Sequence, residues 1–131
     1  MEVLFQKLLK KKSVANKILI KHSKNWGLDE RLVEDLADKA LLKRSFTNVE
    51  LSVLFVGRKR AKDLNKKYRG MSYIPQVLGF PMNKERDLDG LIRLGDIVIC
   101  NEKLKYEVRF QKKSLEKVLE FWLLHGVDNL L

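Results

Sequence analysis

His125 and Gly126 stand at the end of a long amphipathic run, where a histidine is placed to act as the first ligand on a metal-binding helix. A second imidazole four residues later would face the same side of that helix. Asn129 stands there instead, and a neutral amide oxygen is a poor donor to a transition metal beside imidazole. Asp128 does not substitute, because one residue along a helix turns the side chain by about 100°. The residue types alone also allow His125 to be a helix-terminal histidine making a cap-like hydrogen bond. Arg69 closes a very basic stretch, and its planar fork of donors pairs bidentately with phosphate oxygens. It reads equally as a C-cap arginine satisfying the last carbonyls of a helix. Asp96, in Leu94-Gly95-Asp96-Ile97, reads locally as a turn or capping carboxylate. His22 and Cys100 are further ligand types, but nothing in their spacing joins them to His125.

Charge points to a polyanion. Lys and Arg number 27 against 17 Asp and Glu, and the 131 residues carry a formal charge of +10. The excess is uneven. Residues 1–27 hold seven lysines against Glu2, and residues 49–70 hold Arg58, Lys59, Arg60, Lys62, Lys66, Lys67 and Arg69 against Glu50 and Asp63. Basic segments on a nearly neutral body are the electrostatic footprint of a nucleic-acid binder. Tyr68 or Tyr73 beside them is able to stack a base, although packing is the commoner use of such a residue.

The elements that must position these groups are readable from periodicity. Lys17–His22 is a short strand ending at the turn Asn25-Trp26-Gly27. Asp29 caps a helix from Glu30 to Arg44, with Leu32, Val33, Leu36, Ala37, Ala40 and Leu41 at helical spacing. Val49–Val56 is a buried strand, and Arg58–Tyr68 a basic helix ended by Gly70. Pro75 and Pro81 bracket an extended piece, Gln76–Phe80, at a sheet edge. Asn83–Gly90 is a polar loop or hairpin tip. Leu94–Cys100 is a second strong strand, and Ser114–Leu124 lies in a final helix that carries His125 at its end.

The length suits one domain with a real core, and 45% hydrophobic residues argue against a disordered chain. The single cysteine, Cys100, forms no intramolecular disulfide, as a reducing compartment permits. No apolar run reaches the roughly 18–20 residues that span a bilayer. Residues 1–16 form a basic extension without a signal peptide's apolar centre, so the expectation is a cytoplasmic protein with no membrane partner.

Four segments in order resemble one family: Leu64-Asn65-Lys66-Lys67-Tyr68-Arg69-Gly70, Val77-Leu78-Gly79-Phe80-Pro81, Leu94-Gly95-Asp96-Ile97-Val98-Ile99 and His125-Gly126. Together they look like the YbeY family of rRNA maturation factors, metal-dependent endoribonucleases. The resemblance runs from about Ile18 to Leu131. It implies an α+β fold, a small mixed β-sheet packed with helices in a zincin-like metal-hydrolase single domain over residues 17–131. It also implies single-strand-specific cleavage of ribosomal RNA, with zinc held by three histidines in His-Gly-x-x-His-Leu-x-Gly-x-x-His. Zinc lowers the pKa of its bound water toward ~7, which makes hydroxide available near neutral pH. His125 matches the first of those histidines, Asn129 occupies the second position, and the third falls beyond Leu131.

By the same resemblance Arg69 contacts the RNA phosphate or transition state, and Asp96 supports the active-site region. The family pattern Pro-Thr-Asp/Asn-Val-Leu-Ser-Phe is met here by Ile74-Pro75-Gln76-Val77-Leu78-Gly79-Phe80. The expected partners are ribosomal RNA and the small ribosomal subunit, met as a monomer. A non-catalytic RNA- or ribosome-binding domain without the metal is the alternative, and a basic scaffold with no RNA role is a third.

Overall fold

Alternating apolar side chains build the central strand. β2 (Val49–Val56) buries Val49, Leu51, Val53 and Phe55 and half-buries the residues between them, the period of two that a pleated strand imposes. β4 (Ile92–Cys100) is buried along most of its length, as suits a strand paired on both sides. The computed structural model describes residues 16–131. The basic extension therefore lies outside the described residues except for Asn16. That side chain is tied to the body, donating to Asp38 and the Phe46 carbonyl and accepting from the Val49 amide.

β1 (Lys17–Lys21) runs parallel to β2, β2 runs parallel to β4, and β3 (Val77–Pro81) pairs antiparallel with β4. The sheet order is β1-β2-β4-β3, which leaves β3 on an edge, as suits a strand that ends in Pro81 and follows Pro75. Four helices accompany the sheet among the described residues: α1 (Glu30–Lys43), α2 (Arg58–Arg69), α3 (Asn101–Gln111) and α4 (Leu115–Asp128). The fold is α+β, one small domain with a mixed sheet.

Local chemistry sets the helix ends. The Asp29 carboxylate accepts from the Arg31 amide at 2.9 Å, and Ser114 Oγ accepts from the Lys117 amide at 3.2 Å. Gly70 takes φ 69° beyond α2, with its N–H on the Lys66 carbonyl and the Met71 N–H on that of Asn65. The loop expected at Asn83–Gly90 contains a bridge from Arg86 to Ile92 and a turn at Gly90.

α3 is the element that periodicity did not reveal. The sequence predicts an extended segment followed by a single helix over 114–124, whereas Cys100 leads straight into a separate helix. Only Leu104 of α3 is fully buried, so its apolar stripe is too narrow to read, and Cys100 supplies no side-chain cap. Lys112, in the left-handed region at φ 51°, ends it before Ser114 starts α4.

The core joins Val33, Ala37, Ala40 and Leu41 of α1 and Leu119, Trp122, Leu123 and Val127 of α4 to one face of β2 and β4. Ala61 of α2, with Val98 and Cys100, is buried outside that cluster.

Two glycines permit close approach, one to a backbone and one to a side chain. At Gly95 (φ 140°) β4 bulges, its partners on β2 skipping from Arg93 to Gly95, and a Cβ there would lie 2.2 Å from the Phe80 carbonyl oxygen. At Gly126, a Cβ would lie 2.8 Å from Cγ2 of Ile97. Ile97 is a side chain that can shift, whereas the Phe80 backbone cannot. Gly126→Ala should therefore lower unfolding free energy by about 1–3 kcal/mol, and Gly95→Ala should cost more, as read by urea denaturation.

Candidate active site

Arg69 lies in the last turn of α2, and a buried amide one turn earlier sets its surroundings. Asn65 is 0% exposed, and its Nδ2 donates to the Tyr73 carbonyl at 3.0 Å. Arg69 Nη1 donates to Asn65 Oδ1 at 3.5 Å and to the Tyr73 hydroxyl at 3.3 Å. Those two bonds are long, so they orient the exposed guanidinium without consuming its donors. The carbonyls at the end of α2 are met by Gly70 and Met71, so the expected C-cap role of Arg69 is not formed.

His125 comes from the other side. α4 passes over β3 and β4 with Gly126 against Ile97, and a Cβ at Gly79 would lie 2.8 Å from that of Asn129. This seating brings His125 and Asn129 to a cleft of about 780 Å³ that Arg69, Tyr73, Gln76, Lys103 and Phe121 also line. The helix end is closed by the Asn129 amide on the His125 carbonyl at 3.1 Å. The imidazole is exposed at the cleft, and the cap-like bond expected of it is not among the bonds of the described residues.

The remaining predicted residues are placed elsewhere. Arg58, Lys59, Arg60 and Lys67 line a second hollow of about 660 Å³ together with Tyr68 and Glu102. Arg58 forms an ion pair with Glu102 at 3.1 Å. Lys62 and Lys66 are exposed and line neither cavity. Tyr68 packs edge-on against Phe80 at 5.2 Å, while Tyr73 stands at the cleft beside Arg69.

Asp96 is neither turn nor cap. It sits within β4, opposite Ser52 and Phe80, because the preceding glycine makes a bulge and the strand continues through it. Cys100 is buried, and His22 stacks on Trp26 at 4.2 Å while bonding to Ser23 and Glu30, which raise its pKa. Neither lines the cleft. Sequence reasoning missed Asn65, Lys103 and Phe121. Asn65 carried a signal, being a polar residue on the apolar face of α2. The other two depend on tertiary approach.

The zinc implied by resemblance does not fit the described donors. Asp128, the nearest carboxylate in sequence, has both oxygens bonded to Arg44, whose hydrogen bonds hold its pKa below the usual range. Among the described residues no three His, Cys, Asp or Glu side chains gather as a metal-holding group. One imidazole beside a neutral amide is short of the three protein ligands that catalytic zinc takes.

The model of the family described as Endoribonuclease YbeY matches residues 15–131. The chain belongs to the YbeY family. The Endoribonuclease YbeY of Aquifex aeolicus is 34% identical over 116 residues, covering 88% of this chain and 75% of that protein. That of Chromobacterium violaceum is 32% identical over 94 residues, covering 72% of this chain and 56% of that protein. The chain thus spans little more than half of some curated relatives. A solution structure of a Thermotoga maritima protein superposes with a TM-score of 0.56 at 26% identity, covering 88% of this chain and 71% of that one. YbeY is an enzyme family of endoribonucleases, and no helix among the described residues is long and apolar enough to cross a membrane.

Two measurements check this geometry. Asn65→Leu leaves the Tyr73 carbonyl without its donor, so stability should fall by about 1–3 kcal/mol in urea titration. The Asp128 pKa is lowered on folding, so its contribution is present above the ordinary carboxylate pKa and is lost as pH falls through the lowered value. Asp128→Asn should therefore be less stable than wild type at pH 7, and the difference between the two should vanish as pH falls below the lowered carboxylate value in acid-unfolding curves.

Proposed function

We propose that the chain acts on single-stranded ribosomal RNA in the manner of its family, as an endoribonuclease of rRNA maturation using the cleft between α2 and α4. One observation carries this: Arg69 and His125, far apart in sequence, line the same cleft. Arg69 offers a fork of donors to a phosphate, and Lys103 adds a second cation to the cleft wall. Arg58, Lys59, Arg60, Lys62, Lys66 and Lys67 extend the positive surface along α2, a backbone grip that needs no base sequence. The substrate reading is ribosomal RNA in the small subunit, met by a cytoplasmic monomer.

Hydrolysis with zinc needs donors beyond the single imidazole of His125, and the described residues do not offer them. A second reading is therefore supported by Asn129: a domain that binds RNA or the ribosome in this cleft without cleaving it.

Fluorescence anisotropy with a single-stranded rRNA fragment across a salt series tests the shared part. Arg69→Ala should weaken binding roughly tenfold and reduce the slope of log K against log salt by about 0.7. Zinc content and cleavage then separate the two readings. Stoichiometric zinc and cleavage, both abolished in His125→Ala, favour the endoribonuclease. Salt-dependent RNA binding by zinc-free protein without cleavage favours the binding domain, and no affinity for RNA overturns both.

A further inference from the structure

The outer face of α3 carries an exposed aromatic pair that the cleft does not use. Tyr106 and Phe110 are 52% and 68% exposed, yet their rings stack at 4.4 Å with 28° between planes. They are one turn apart on one face, with buried Leu104 securing the opposite side of the helix. The neighbouring stripe of α3 faces the cleft: Lys103 lines it, and Glu107 accepts from Gln76 of its wall at 3.3 Å. The aromatic pair therefore begins one stripe outside the cleft wall.

The surrounding charge is mostly positive. Lys105, Arg109, Lys112 and Lys113 are exposed and form no salt bridge among the described residues. Of the two acids of α3, Glu102 is paired with Arg58, while Glu107 accepts from the neutral Gln76 and keeps its charge on the cleft-facing stripe. Large apolar rings held in water mark an interaction surface. A stacked pair flanked by free cations suits bases on a polyanionic backbone, since every base has a face to stack and each phosphate a charge to meet. A protein partner would use the rings without needing the cations.

We propose that α3 is a base-stacking platform that extends the RNA path out of the cleft, with Tyr106 and Phe110 stacking unpaired bases and Arg109, Lys112 and Lys113 meeting their phosphates. This rests on the RNA reading above. Its consequence is length dependence: an oligomer that fills the cleft does not reach the platform, whereas a longer one does.

The test compares single-stranded RNA of about 4 and about 12 nucleotides, a span within the site sizes of such surfaces. In wild type the longer oligomer should bind at least tenfold more tightly, and 2-aminopurine near one end should be quenched. Tyr106→Ala with Phe110→Ala should remove both effects while leaving the short oligomer's affinity unchanged. Tyr106→Phe alone should keep them, because the ring face remains. Circular dichroism melting of each variant should match wild type, since both rings are exposed. A length gain and quenching that persist in the double variant overturn the platform. So does a wild-type dimer, seen by sedimentation, that the double variant converts to monomer with RNA affinity unchanged, because the rings then serve a protein interface. Absence of affinity for either oligomer in wild type itself would instead sink the RNA reading on which the platform stands.

Discussion

The closeness of α4 to the sheet is the constraint on which the site depends. Gly126 has no Cβ, so the helix backbone settles against Ile97, and Gly79 lets Asn129 settle against β3 in the same way. These contacts continue the burial of Leu119, Trp122, Leu123 and Val127, each worth about 1.5–3 kcal/mol for an aliphatic or aromatic side chain taken from water. Ion pairs from Lys39 and Lys43 to Glu120, and from Arg44 to Asp128, align α1 with α4 but lie in solvent, where such pairs contribute little. His125 is thus held in place by the core beneath it. Its own imidazole does not hold the helix.

The opposite wall of the cleft is built by a separate device. Asn65 is the buried polar residue of the described fold, and its amide joins the end of α2 to the Tyr73 carbonyl. Leaving that carbonyl unpaired would cost more than the net value of the bond, so the loop after α2 is bound to keep its course. Arg69 inherits its place from this connection. The two walls meet because β3 is an edge strand, which leaves space beside it for a cleft.

Most of the fold was legible because most of it obeys one period. β2, β4 and α1 show clear alternation or helical spacing, and the prolines around β3 announced an edge. α3 escaped because a helix that buries one residue fully has almost no apolar stripe. Asp96 was misread because a glycine before a carboxylate resembles a turn, whereas here a bulge keeps the strand going. At the site, Arg69 and His125 were legible as residue types, and their convergence was not readable from spacing. Lys103 and Phe121 became visible only once α3 and α4 were packed together.

The two departures at the cleft have different physical weight. Asparagine and histidine share the same Cβ, so an imidazole at position 129 would meet Gly79 as Asn129 does and leave the helix where it is. Asn129 therefore changes the donor set without changing the shape. Gly79 is the reverse case. The serine of the family pattern would put a Cβ 2.8 Å from that of Asn129, closer than two carbons approach, and would push α4 outward. The glycine belongs to the close seating of α4, whatever side chain occupies position 129. Shape and positive charge on one side, and metal-binding capacity on the other, are carried by different residues. Arg69 and Lys103 line the cleft with either residue at 129, so in the proposed reading a change of donor there leaves the phosphate-facing wall intact.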